Sequence, residues 1–233
     1  MADIVLKAEG VTKRFGGITA LEDAKLEVRK GEVHALVGAN GAGKSTLIKI
    51  ITGAYTNDEG KIYLDGKEVH IKSTFDARAL GISAVYQEFS LINTVSVAEN
   101  IYMGKLLYNN LGPVPKVDWK KMNEETQKLL DSLGVKNIKP ETIVGRLSVA
   151  QKQMVEIAKA LSNKLKVLIM DEPTASLSDN EIENMFKIVK DLKAKGISII
   201  YVSHRLEELP IICDRISVYR DGHYIKTLDI EDA

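Results

Sequence analysis

Apolar and polar residues alternate from Ile4 to Phe15 and again from Ala24 to Arg29, with Gly16-Gly17 between the two runs. That period of two predicts a pair of strands with a turn between them. Val33 to Val37 is a short apolar run that stops at Gly38. A glycine-rich loop follows, and Lys44 to Ile51 reads as a helix terminated by Gly53. Lys61–Leu64 and Val69–Ile71 flank Asp65-Gly66, a dipeptide that favours a hairpin turn. Ile82–Tyr86 is a further strand.

From about Glu88 to Asn163 the period changes. Strand signals stop, and helices are predicted over Ser96–Met103, Asp118–Leu133 and Ser148–Leu161. Val167–Met170 is then almost wholly apolar, as in the buried centre of a parallel sheet. Asn180–Lys195 is an amphipathic helix closed by Gly196, and Ile197–Val202 is a second buried strand. Arg215–Tyr219 and His223–Leu228 bracket Asp221-Gly222 as another hairpin. No internal repeat or low-complexity tract interrupts this pattern. The expected fold is α/β over residues 1–233 as one domain, with a core at about 1–87 and 164–233 and a helical insert at about 88–163.

Charge narrows the choice of partner. The 233 residues include 32 basic and 32 acidic side chains, a formal net charge of +0. Holding a nucleic-acid backbone calls for a cationic surplus, so nucleic acid is not an expected partner. The single cysteine, Cys213, excludes an intramolecular disulfide within this sequence and reads as a small buried hydrophobe. No run approaches the roughly 18 apolar residues that cross a bilayer, and Met1–Lys7 lacks the basic-then-apolar pattern of a secretory signal. Any membrane connection is expected to run through a partner protein.

The chemistry is concentrated in two segments. Gly38-Ala39-Asn40-Gly41-Ala42-Gly43-Lys44-Ser45 matches G-x-x-x-x-G-K-[ST] at every fixed position. The glycines let successive backbone N–H groups turn inward around β- and γ-phosphates. The following helix points its positive end at the same anion. Lys44 adds a full charge, and Ser45 offers a hydroxyl to Mg²⁺. Val167–Glu172 is the second segment. A buried strand carries Asp171 to the carboxyl edge of the sheet, where ligands collect. There Asp171 can support Mg²⁺ and Glu172 can orient or deprotonate an attacking water. The alternative for the two acids taken alone, the lesser reading, is a cap on the loop before Pro173; beside the phosphate loop they read as a nucleotide phosphatase of the P-loop class.

A third segment has two readings. In Leu147-Ser148-Val149-Ala150-Gln151, Ser148 and Gln151 form an S-x-x-Q capping box at a helix start. That accounts for both polar residues without any function. It does not account for their position just ahead of the Asp171-Glu172 strand.

These segments together resemble the ATP-binding-cassette family over essentially the whole sequence, from about Ile4 to Leu228. Gly38–Ser45 is similar to its phosphate loop, Gln87 to its glutamine loop, and Leu147–Gln151 to its LSGGQ signature. Asp171-Glu172 resembles the end of its Walker B strand, Ala175–Ser178 its D-loop, His204 its switch histidine and Phe15 its adenine-stacking aromatic. Read singly, Phe15 has a core aromatic as its lesser alternative, while Gln87 is equally a solvated loop amide and His204 equally a helix cap.

The resemblance implies a P-loop NTPase core with a mostly parallel central sheet, an N-terminal antiparallel β part and a helical subdomain. It implies ATP and Mg²⁺ as ligands. Glu172, His204 and Gln87 would be catalytic, while Ser45, Gln87 and Asp171 would serve the metal, directly or through water. Phe15, Gly38–Ser45, Thr46 and Asp171 would bind nucleotide, and Ser148, Ala150 and Gln151 would reach the nucleotide of an opposing cassette. The implied partners are a second cassette, transmembrane permease subunits and, indirectly, a periplasmic or extracellular sugar-binding protein. The implied location is the cytoplasmic face of the cell membrane.

Departures from the general pattern are informative. Val149 and Ala150 stand where the signature has two glycines, and Ser178 replaces the D-loop aspartate. With Gln151–Lys159 and Val117-Asp118-Trp119, these residues resemble the branch that imports ribose, galactose or xylose. That branch carries two cassettes in one polypeptide, so the sequence is expected to be the N-terminal half of a longer protein. The rival expectation is a soluble cassette ATPase acting on ribosomes or DNA, which would usually show a basic arm, a coiled coil or a long linker. A nucleotide-gated switch without turnover is a third, against which Glu172 argues.

Overall fold

The computed structural model describes residues 3–109 and 115–233. In chain order the elements are β1 (Ile4–Phe15), β2 (Ile18–Arg29), β3 (Val33–Val37), α1 (Lys44–Ile51), β4 (Glu59–Leu64), β5 (Lys67–Val69), α2 (Thr74–Leu80) and β6 (Ile82–Val85). Then come α3 (Val97–Tyr102), β7 (Tyr108–Asn109), β8 (Lys116–Val117), α4 (Trp119–Ser132), α5 (Val149–Leu161), β9 (Val167–Asp171) and α6 (Asp179–Ala194). The chain finishes with β10 (Ser198–Val202), α7 (Leu209–Ile212), β11 (Arg215–Arg220) and β12 (His223–Asp229).

Ten strands line up in the order β5-β4-β1-β2-β12-β11-β3-β10-β9-β6. From β11 to β6 all neighbours are parallel, whereas each neighbouring pair in β5-β4-β1-β2 is antiparallel. The two parts meet where His223 of β12 pairs with Glu22 of β2. The expected P-loop core and N-terminal antiparallel part are both present.

Two apolar cores follow from the period of two. In β9, Val167 and Ile169 face one core, and Leu168 and Met170 face the other. β10 divides in the same way, Ile200 and Val202 against Ile199 and Tyr201. The first core is filled by Leu47, Ile48, Ile50 and Ile51 of α1 and closed by Leu6, Leu26 and other residues of the antiparallel strands. The second receives α3, α4, α5 and α6. Because the parallel strands are buried on both faces, their sequences are mostly apolar, and the polar residues among them, such as His34 and Ser217, are themselves buried.

The elements differ from the sequence expectations at a few places, each with a local cause. β2 begins at Ile18 and not near Ala24, because Asp23 at φ 45 marks an irregularity that shifts the alternation. The hairpin partner of β4 is Lys67–Val69, since Asp65 (φ 49) and Gly66 (φ 75) form the whole turn and Leu64 pairs directly with Lys67. α2 is new. Its signals were local: Ser73 accepts from the Asp76 N–H at 3.2 Å, and Gly81 ends the helix at φ 89. Within the helical stretch, β7 and β8 pair through only Tyr108↔Val117 and Asn109↔Lys116, too short to leave a periodic trace.

Candidate nucleotide site

The phosphate loop starts where β3 ends. Val37 pairs with Val218, which brings Gly38 against the next residue of β11. A Cβ at Gly38 would stand 2.2 Å from the Tyr219 carbonyl oxygen, so only glycine fits there. Gly43 has φ 94, and a Cβ on it would meet Leu21 Cδ1 at 2.7 Å. The loop is therefore wedged between β11 and β2 before it enters α1.

Within the loop, Lys44 is 7% exposed and its Nζ donates to the carbonyls of Gly38 at 2.7 Å and Ala39 at 3.1 Å. Burial holds its pKa below the ordinary lysine value, while the charges of Asp171 and Glu172 pull the other way. The backbone N–H groups of Gly41, Gly43, Lys44, Ser45 and Thr46 meet no backbone acceptor among the described residues. Such a row of orphan donors at a helix start fits an anion.

Sheet register sets the opposite wall. Asp171 pairs with Val202, and Val202 with Leu36, so β9, β10 and β3 end at one level. Val85 pairs with Met170, which places Gln87, two residues past β6, at the same edge. Burial raises the Asp171 pKa above the usual carboxylate range; Glu172 adds to this, and Lys44 opposes it. Glu172 adopts φ 51, a left-handed conformation that is uncommon for a residue with a side chain. Its N–H donates to the Val202 carbonyl at 2.9 Å, and its Oε1 lies 2.7 Å from His204 Nε2. Ser45 Oγ, the Asp171 carboxylate and the Gln87 amide are hard oxygen donors. That donor set fits Mg²⁺, which takes few protein ligands and completes its shell with phosphate and water.

Phe15 lies at the surface end of β1 and is 40% exposed, which removes the core-aromatic reading. Its ring meets Tyr55 edge-on with centroids 5.1 Å apart, and Lys13 Nζ lies 5.4 Å from its centre. Tyr55 was not anticipated; it follows α1 without any periodic signal.

Ser148 and Gln151 form the capping box: the Ser148 N–H donates to Gln151 Oε1 at 3.0 Å, and the Gln151 N–H to Ser148 Oγ at 3.2 Å. Ala150 is the second residue of α5. Ser148, Ala150 and Gln151 line a cleft with Leu177 and Glu181, not with the phosphate loop. Asn40, Ala42 and Ala39 stay within the loop. Cys213 is buried and pushed up to about 12 by that burial, which leaves it a thiol.

The sequence profile described as "ABC transporter" matches residues 21–175. The chain is 49% identical over 228 residues to a putative ribose/galactose/methyl galactoside import ATP-binding protein of Burkholderia ambifaria, covering 98% of this chain and 43% of that protein. It is 45% identical over 228 residues to the ribose import ATP-binding protein RbsA of Clostridium perfringens, covering 98% of this chain and 45% of that protein. The chain thus spans less than half the length of the curated relatives it matches. Among solved structures, a nucleotide-free ATP-binding cassette from an ABC transporter superposes with a TM-score of 0.85 at 32% identity, covering 97% of this chain and 91% of the other. A transporter cassette in its ADP conformation gives 0.85 at 30% identity, with coverages of 98% and 92%.

Proposed function

The chain belongs to the ABC transporter family, and from that premise we propose that it binds and hydrolyses ATP to drive sugar import through membrane partners. The observation that carries the ATPase reading is the meeting of Lys44, Asp171, Glu172 and His204 at one sheet edge, with Glu172 Oε1 2.7 Å from His204 Nε2. The sugar reading rests on the likeness to the two import proteins above.

A triphosphate oxygen would take the Lys44 ammonium from the Gly38 and Ala39 carbonyls, and the orphan loop N–H groups would surround the β- and γ-phosphates. Phe15, with Tyr55 behind it, would stack on adenine. Mg²⁺, when bound, neutralises phosphate charge, and Ser45, Asp171 and Gln87 would hold it. Glu172 orients a water for attack on the γ-phosphorus and accepts its proton as ADP departs. His204 fixes the Glu172 carboxylate and stands ready to contact the γ-phosphate.

Ser148, Ala150 and Gln151 point to a second cassette, since in this chain they line a cleft apart from the phosphate loop. Residues at about 88–163 form a helical subdomain that, with Gln87, faces the transmembrane permease. A groove beside Tyr86 supports this: Phe75 and Met103 are exposed there among Arg78, Lys105 and Lys159. Burial, with the nearby charges of Arg78 and Lys159, pushes Lys105 down to about 8. No described helix is long and apolar enough to cross a membrane. The chain then sits on the cytoplasmic face of the cell membrane, and a sugar-binding protein acts indirectly on the other side. ATPase assays on the assembled transporter, with and without binding protein loaded with ribose or galactose, test this; absence of sugar stimulation counts against the import reading.

A further inference from the structure

Glu208 is an acid with 3% exposure, outside every motif described above. Its Oε2 accepts from three hydroxyls: Thr174 Oγ1 at 3.0 Å, Tyr201 OH at 2.8 Å and Ser203 Oγ at 3.1 Å. A buried carboxylate is costly unless it is hydrogen-bonded; these bonds satisfy Oε2, whereas Oε1 has no hydrogen-bond partner among the described residues.

The donors have a common theme. Thr174 lies two residues beyond Glu172, and Ser203 immediately precedes His204. Tyr201 stands on β10 between them. One carboxylate therefore ties the loop leaving β9 to the loop leaving β10, the two loops whose side chains meet as Glu172 and His204.

Both loops depend on such fixation. Glu172 sits at φ 51, a conformation that persists only where its surroundings over-determine it. Its N–H is fixed by Val202 on one side, and the Thr174 bond to Glu208 fixes the chain on the other. Ser203 Oγ donates to Glu208 and accepts the Arg205 N–H at 3.0 Å, which closes the turn around His204. The Arg205 guanidinium stands 3.9 Å from the second Glu208 oxygen.

We propose that Glu208 is a positioning residue for hydrolysis, holding Glu172 and His204 in register through Thr174 and Ser203. This rests on the ATPase reading above. Glu208 itself touches neither the phosphate loop nor the reacting atoms.

The test is Glu208→Gln, which keeps the volume but turns one carboxylate oxygen into an amide donor. The expected result is a kcat lower by about ten- to a hundredfold, the scale of a small misplacement at the reacting centre. ATP affinity should not change, because the phosphate loop is untouched. In a His204→Ala background the same substitution should cost less than it does alone, since one of the two groups it positions is gone while Glu172 remains. A merely structural Glu208 would lower the melting temperature and leave kcat per folded molecule unchanged, or would act additively with His204→Ala; either result overturns the inference. Should Glu208→Gln fail to fold, Thr174→Val combined with Ser203→Ala removes two of the three donors, and an unchanged kcat there overturns it too. If the unsubstituted protein does not turn ATP over, the ATPase reading fails and takes this inference with it. If it does and the variant equals it, only the role of Glu208 fails.

Discussion

Glu172 and His204 touch, Oε1 to Nε2 at 2.7 Å, because β9 and β10 are adjacent parallel strands with Asp171 opposite Val202. Each residue stands just past the end of its strand. Their meeting is thus set by sheet register and by the left-handed turn at Glu172, not by a long loop that would have to be ordered on binding. The carboxylate proposed as the base is thereby held in a preorganised position.

Replacing Glu172 by Gln should keep ATP binding and slow hydrolysis by about two or more orders of magnitude, the scale of a lost general base. The amide keeps the contact with His204 but cannot take a proton. Single-turnover hydrolysis at the wild-type rate would remove Glu172 from that role.

Lys44→Ala should weaken ATP by roughly ten- to a hundredfold, matching the 1.5–3 kcal/mol of a charge-assisted contact. Lys44 is held by its own loop's carbonyls at 2.7 and 3.1 Å, so the cation is in place before nucleotide arrives. Calorimetry reads this directly, and an unchanged affinity would mean that the loop does not hold the phosphates.

Much of this site was legible because its parts are local. Gly38–Ser45 and the Val167–Asp171 strand with Glu172 after it each announce their structure within a few residues, and Ser148 and Gln151 form the capping box their spacing predicts. What stayed hidden depends on distant partners. Nothing near Glu208 in sequence marks it as buried, and one of its three hydroxyl partners, Thr174, lies 34 residues away on the loop after β9. Tyr55 gained meaning only when α1 carried it to Phe15. The onset of β2 at Ile18 is hidden in the sequence because the irregularity at Asp23 breaks the alternation of apolar and polar residues.

The Phe15 ring is exposed and supported by Tyr55, so Phe15→Ala should cost adenine nucleotides about 1–3 kcal/mol of binding. Thermal stability should barely change, since no core is opened. Measuring ATP beside inorganic tripolyphosphate separates the accounts: an equal loss for both would show that Phe15 does not recognise the base.

Stability should depend on acid pH through Glu32. Burial alone would raise its pKa, but His34, the Arg29 N–H and Arg215 together hold it below the ordinary value of 4.5. Glu32 Oε1 lies 3.0 Å from Nδ1 of the buried His34 and 3.4 Å from Arg215. A folded pKa below the unfolded one adds stability above the unfolded value, and that stability is lost as pH falls through the folded one. Glu32→Gln should therefore destabilise by about 3–5 kcal/mol at neutral pH, the cost of breaking a buried pair. In urea melts the gap between variant and wild type should narrow below pH 4.5. A gap independent of pH would assign the loss to packing.

Ala150 should be a tolerated variant of the signature and not the mark of a dead site. Ser148 caps α5 and Val149 opens it, so Ala150 is the second helical residue, and it is absent from the positive-φ positions. Glycine there adds no conformational freedom that the backbone uses, and alanine is the better helix former by about 0.8–1 kcal/mol. Its N–H belongs to the first turn, where donors lack intrahelical partners and remain free for a phosphate on an opposing cassette. Ala150→Gly in the assembled transporter should lower stability by about that amount and leave the ATPase rate nearly unchanged. A methyl group that obstructed a composite site would give the opposite result, a rate that rises on its removal. An increase of about tenfold, equivalent to 1.4 kcal/mol of barrier, would refute the tolerated-variant account.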